Sequence, residues 1–303
     1  MERYLFRHFL STFARKMNGK MTSKSLFSSL VGVILAFASC GELKTESSLP
    51  SSVEEVPERE TLYQVSLVQS LVMGDYDGSV SIEDVLKKGD CGIGTFDAAN
   101  GEMVVLDGQC YRCGGDGSVE TVSGEEKTPF CNVTFFDADV EGTLSSIANV
   151  KELEQGLHQL VQSAGYSMNH IYMVQIKGHF DQRLVRSEVA QKKDSEGKYL
   201  PLAEGLKDAE RQFGYHHLSG RLVGLYCPTY MGQVNVPGWH FHFLSDDAQR
   251  GGHVISLVAK EGLKAVVDRT ISFHMDLPKS ASFDSFDFSA DLDEKIRNVE
   301  KKE

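Results

Sequence analysis

The sequence predicts an α/β protein of the α+β kind, in which mixed β-sheets carry a few covering helices. Three observations lead there. Short apolar, β-branched and aromatic runs recur between turn-forming dipeptides such as Asn100-Gly101 and Asp107-Gly108, the pattern of strands joined by tight turns. Two stretches, Val150 to Ala164 and Leu202 to Phe213, space their apolar residues as helices do. From Gly220 to Leu277 the chain is mostly strand-like, and no internal repeat is evident.

The 303 residues allow one large domain or two modest ones, and a hydrophobic fraction of 41% with a mean hydropathy of -0.24 fits a globular core. The formal net charge is -12, with the acids dispersed, which argues against nucleic acid as a partner. The first 39 residues differ from the rest. Arg3, Arg7, Arg15, Lys16, Lys20 and Lys24 against Glu2 leave them at +5, and the remainder at -17. Leu26 to Ala38 is an uncharged, mostly apolar run, too short to span a bilayer and of the size of a signal-peptide core. It ends in Phe37-Ala38-Ser39-Cys40, which resembles a bacterial lipoprotein cleavage box with Phe37 in place of the more usual Leu. Residues 1–39 are therefore expected to be a signal peptide, with a start at Met21 giving a more ordinary length, and Cys40 to carry a lipid. Export and anchoring in the bacterial cell envelope follow, with membrane contact only through that lipid. A plain anchor helix or a cleaved secretory signal is the alternative. Residues 40–60, rich in Ser, Pro and charge, read as a tether; as a flexible coil its 20 residues from Gly41 reach roughly 25 Å. The folded region is expected at 61–303.

Taken in order, Tyr63 to Val72 reads as a strand. Gly74 to Gly78 superficially resembles a calcium loop, but with Gly78 as the obligatory glycine the first ligand position is Met73, which has no side-chain oxygen. Ser81 is placed to cap a short helix ending before Gly89. Gly94 to Asp97 and Gly101 to Gly108 are strand material. Glu102 opens the second beside a tight turn, where a carboxylate can be held rigidly, although an exposed strand-end acid is the commoner case. Cys110 and Cys113 lie three apart in a strand and so face opposite sides, which argues against a shared metal or redox role. With Cys91, Cys131 and Cys227 they make an odd set after Cys40, whose pairing the sequence leaves open.

Pro129 to Phe136 is a further strand. Asn149 with Glu152 forms a capping-box-like start for the first long helix, whose Leu153, Leu157, Leu160 and Val161 face one way. Ile171 to Ile176 is a strand that continues past Gly178 to Arg183 and Arg186. The second helix is framed by Pro201 and Gly214. The strands Arg221 to Tyr226, Ala265 to Val267 and Ile271 to Met275 follow. Asp291 to Glu303 reads as a closing helix with Leu292, Ile296 and Val299 as its stripe and Glu300 at the edge of that stripe.

The chemistry is concentrated in Val236 to Val254, VPGWHFHFLSDDAQRGGHV. Trp239, Phe241 and Phe243 favour a strand, in which His240 and His242 point to the same side. Ser245 to Gly252 reads as a turn, and His253 opens a second strand. Pairing of Leu244 with His253 would set His253 diagonal to His242 on one face. Three imidazoles without a thiolate suit Zn²⁺ with a position left open. Such a centre serves equally to make hydroxide for hydrolysis or to act as a Lewis acid on a carbonyl, and a non-catalytic, lipid-tethered metal-binding module is also compatible.

Four blocks in order, GIGTFDAANGEMVVLDGQCYR, PFCNVTFF, NHIYMVQIKGHFDQRLVRS and VNVPGWHFHFLSDDAQRGGHV, resemble the successive motifs of the alpha-acetolactate decarboxylase family. The resemblance runs from about Tyr63 to the C terminus, making 61–303 an acetolactate decarboxylase-like catalytic region. It implies two β-rich parts with the zinc between or beside them, and a homodimer. It implies His240, His242 and His253 as the zinc ligands, with Glu102, Thr95, Arg186 and a C-terminal glutamate, best matched by Glu300, around them. Arg112, Ala248 and Ser256 depart from the family's usual Gln, Arg and Asp without removing a ligand. The implied reaction is decarboxylation of a small β-keto acid, 2-hydroxy-2-methyl-3-oxobutanoate, to acetoin, with no organic cofactor. A cation at the substrate's carbonyl oxygen would stabilise the charge that CO2 leaves behind.

Overall fold

The computed structural model describes residues 59–289 together with Leu292 and Ile296. Two sheets dominate. The first has seven strands in the spatial order Ser272–Asp276, Thr61–Val65, Cys131–Thr134, Cys91–Thr95, Glu102–Leu106, Gln109–Cys113 and Val119–Thr121. Only its outermost pair, Thr61–Val65 with Ser272–Asp276, is parallel. The second sheet has six strands, built on a ribbon of two 18-residue strands, Ile171–Glu188 and Glu210–Cys227. A hairpin of Gly238–Ser245 and Gly251–Val258 joins both members of the ribbon, so these four strands pair in a ring. Leu263–Thr270 and Val140–Leu144 extend the sheet beyond it. Mixed sheets in two β-rich parts with few helices are what the sequence predicts.

The period-2 alternation of the hairpin decides where the core and the site lie. Trp239, Phe241 and Phe243 point to the face covered by the helix Val150–Ser163, where Leu153, Leu157 and Val161 are fully buried. Burial on that scale contributes about 2 kcal/mol per side chain. Asn149 caps this helix by accepting from the Glu152 amide, as expected. The intervening residue Leu244 faces the other way, into a core shared with Ile93, Val104 and Leu106 of the first sheet. The two sheets therefore pack face to face, and the even-numbered positions of Gly238–Ser245, with His253 across from His242, look into the space between them.

Three expectations are corrected. The strand beginning at Tyr63 stops at Val65, where Ser66 has a φ of 62°, and Val68–Met73 is a helix ending on left-handed Gly74. Val68, Leu71 and Val72 have helical rather than alternating spacing, which accounts for the change. The second covering helix is Leu202–Ala209 and does not reach Phe213, because Glu210 is already extended and Phe213 pairs with Val185 in the ribbon. A long ladder outcompeted local helix propensity there. In the hairpin it is His242, not Leu244, that lies opposite His253. Ser81 caps its short helix as expected, and all five cysteines of the described region are buried and unpaired. Cys110 and Cys113 do face different cores.

Candidate metal centre

His240 and His242 share a face of Gly238–Ser245, and His253 stands directly across from His242. This register brings the rings closer than the expected diagonal would. His240 Nε2 lies 3.1 Å from His242 Nε2 and 2.9 Å from His253 Nδ1. In a tetrahedral zinc site with bonds of about 2.0–2.1 Å, neighbouring ligand nitrogens stand roughly 3.3 Å apart. These two separations are close to the spacing that a four-coordinate cation requires, all three donors lie within 4.8 Å of one another, and they form the one group of at least three candidate ligands found this close among the described residues.

The chemistry of the donors fits a cation as well. His242 Nδ1–H donates to the Met103 carbonyl at 2.7 Å, which leaves Nε2 with its lone pair turned to the cluster. Burial pushes the His242 pKa down to about 4, opposed by the Met103 hydrogen bond and helped by Arg186, so the ring stays neutral and ligand-ready at physiological pH.

The neighbours come from other strands. Arg186 is the cross-strand partner of His253, so His242, His253 and Arg186 form a row across three strands. A bulge between Leu184 and Val185 sets the register that aligns Arg186 with His253. Glu102 comes from the opposite sheet and brings Oε2 to 3.3 Å from His242 Nε2. It is buried, 7% exposed, so the commoner reading of an exposed strand-end acid is corrected: its strand faces the second sheet rather than solvent. Thr95 is paired with Glu102 in the ladder and donates its hydroxyl to the Gly101 carbonyl, bracing the turn that presents the acid. Glu300 lies outside the described residues. Most of the closing helix expected at Asp291 to Glu303 lies outside them as well; of its stripe, Leu292 and Ile296 are described, buried with Leu71, Ala99, Phe130 and Val236, and the Ile296 amide donates to the Leu292 carbonyl.

All of these groups but His253 and the undescribed Glu300 line, or pack on the wall of, one pocket of about 570 Å³, counted to its open mouth. Thr95, Glu102, Arg186, His240 and His242 make its polar side; Leu71, Ile93, Leu202, Leu206 and Val236 make an apolar wall. A cation seat beside an arginine and a carboxylate, closed by apolar surface, suits a small, charged, oxygen-rich ligand with alkyl groups. Sequence reasoning missed two acids. Glu188 lines the pocket two residues beyond Arg186, and Glu210 meets Arg186 Nη1 at 3.3 Å. The period-2 rule applied from Arg186 would have found Glu188; Glu210 needed the register of the ribbon.

A sequence model of the family described as alpha-acetolactate decarboxylase matches residues 62–290. The chain is 40% identical over 242 residues to the alpha-acetolactate decarboxylase of Methanosarcina mazei, covering 80% of this chain and 81% of that protein. It is 32% identical over 232 residues to the enzyme of the same name from Bacillus subtilis, covering 77% and 86%. The crystal structure of alpha-acetolactate decarboxylase from Bacillus subtilis superposes with a TM-score of 0.74 at 30% identity, over 80% of this chain and all of that one.

Proposed function

The chain belongs to the alpha-acetolactate decarboxylase family of carboxy-lyases, and from that membership and the three-histidine centre we propose that it converts 2-acetolactate to acetoin and CO2 with Zn²⁺ held by His240, His242 and His253. The observation that carries the zinc is the convergence of three ring nitrogens, one with its tautomer fixed by Met103. Bound there, Zn²⁺ supplies a Lewis acid for the substrate's ketone and hydroxyl oxygens.

The rest is done by side chains. Arg186 faces the same pocket with a planar cation suited to the substrate carboxylate, holding it while the C–C bond breaks. Glu102, beside His242, is placed to accept the hydroxyl proton and pass it to the carbon that loses CO2, and the oxygen regains a proton from solvent as the product leaves, so that one proton is taken up overall. Ile93, Leu202, Leu206 and Val236 take the two methyl groups and keep water from the nascent carbanion. Thr95 holds the Glu102 turn. Glu300 is assigned to the same pocket from the family pattern, supported by the packing of Leu292 and Ile296 on its apolar wall.

Acetoin formation by the zinc-loaded protein, lost with a chelator and restored by Zn²⁺, is the expected result. Metal binding without acetoin would point to a binding module, and ester or amide cleavage in its place to a hydrolase. We also propose that Cys40 is lipidated after removal of 1–39 and that the enzyme works as a homodimer tethered to the cell envelope. The basic, apolar N-terminal pattern supports the first. Mass spectrometry of Cys40, fractionation of Cys40→Ser, and sedimentation velocity test the two.

A further inference from the structure

Building on that reading of the pocket, we propose that Glu210 is a positioning residue for Arg186: it acts on the substrate only through the guanidinium it orients. Arg186 is 3% exposed, so its cation is held away from water and its direction is set by protein partners. Glu210, 11% exposed, offers one carboxylate oxygen to each of two partners. Oε2 accepts from Arg186 Nη1 at 3.3 Å, and Oε1 accepts from Gln212 Nε2 at 2.9 Å. Gln212 is itself the ladder partner of Arg186, so the carboxylate is clamped by the strand that faces the arginine. An arginine fork has five N–H donors in fixed geometry, and anchoring it at Nη1 fixes the direction of the others.

The place of Glu210 in the chain strengthens the assignment. It is the first residue after the helix Leu202–Ala209, whose Leu202 and Leu206 form part of the pocket's apolar wall. The Arg211 guanidinium donates to the carbonyls of Asp208 and Glu210, tying this junction together. One junction thus sets both the apolar wall and the arginine. The geometry separates two tasks: Arg186 meets the substrate carboxylate, and Glu210 fixes the angle at which it does so.

The test is a kinetic cycle on the zinc-loaded full-length enzyme with 2-acetolactate, comparing wild type, Glu210→Gln, Arg186→Lys and the double variant at a temperature where all four are folded. Glu210→Gln is expected to raise KM about tenfold and lower kcat/KM by about ten- to a hundredfold, the scale of a misplaced binding group. In the Arg186→Lys background the same substitution should change kcat/KM less than about twofold, because the residue through which it acts is already altered. Equal losses in both backgrounds overturn the proposal. So does a lower kcat with KM unchanged, which is what a mere loss of folded enzyme would give. If Glu210→Gln does not fold, Glu210→Asp replaces it in the same cycle; it keeps the charge at shorter reach, and the same non-additivity is required. A wild-type enzyme that makes no acetoin defeats the functional reading itself, whereas an active wild type with an additive cycle defeats only the role of Glu210.

Discussion

His242 and Glu102 show how much a single position depends on what faces it. Local sequence places Glu102 at a strand end and says nothing about the opposite sheet; the structure sets its carboxylate 3.3 Å from a histidine nitrogen and buries it. Glu102→Gln keeps the shape and removes the acid. Acetoin formation should fall by roughly 10²–10⁴, the usual weight of general acid–base catalysis, while bound zinc stays near one per chain; rate assays and metal analysis check both. Asp268 offers a separate test, away from the centre. Burial, with Asp139, Glu60 and Asp137 adding repulsion and only a backbone bond from Asp137 opposing, raises its pKa to about 8. An unfolded aspartate releases its proton near pH 4, so between about 4 and 8 the native state binds more protons than the unfolded state, and stability falls as pH rises through that window. Asp268→Asn should flatten this slope and stabilise the protein most at the alkaline end, as measured by denaturant unfolding at several pH values.

Among the elements, the hairpin was the most legible. Aromatic residues alternating with histidines, followed by a glycine-bearing turn, specify two strands and a shared face for His240 and His242. The register was not legible to that precision, because turn length alone did not fix which residue opposes His253. Gly252 shows what does fix it. Its φ of +140° is a region only glycine enters readily, and a Cβ there would lie 2.5 Å from the Arg186 carbonyl oxygen. The close approach of the two strands at this point sets His253 beside Arg186. Gly252→Ala should therefore cost on the order of 1–3 kcal/mol and weaken zinc binding together with it; unfolding curves and zinc titrations of the same preparation would show whether the two losses coincide. The ends of Leu202–Ala209 and of Thr61–Val65 were misjudged for a related reason. Apolar residues at ambiguous spacing follow whichever partner strand or core is present, and the partners lie far away in sequence.

At the scale of the whole molecule, the three ligand donors all belong to the second sheet, while Glu102 and the Met103 carbonyl belong to the first. Zinc bound by the native state alone should raise the melting temperature, by an amount corresponding to about 4 kcal/mol at a thousandfold excess over Kd. His242→Ala should abolish most of that shift, and differential scanning calorimetry with and without zinc decides it. The sequence by itself determined the class of fold, the family, and the residue types needed for a three-nitrogen cation site, because periodicity, turn chemistry and ordered motifs are written locally along the chain. Only the tertiary structure decided that Glu102 is buried, that His253 faces His242, and that Arg186 is held by Glu210. Those facts depend on which sheet faces which and in what register, and such contacts join residues as much as 140 positions apart, a distance over which no local pattern carries information.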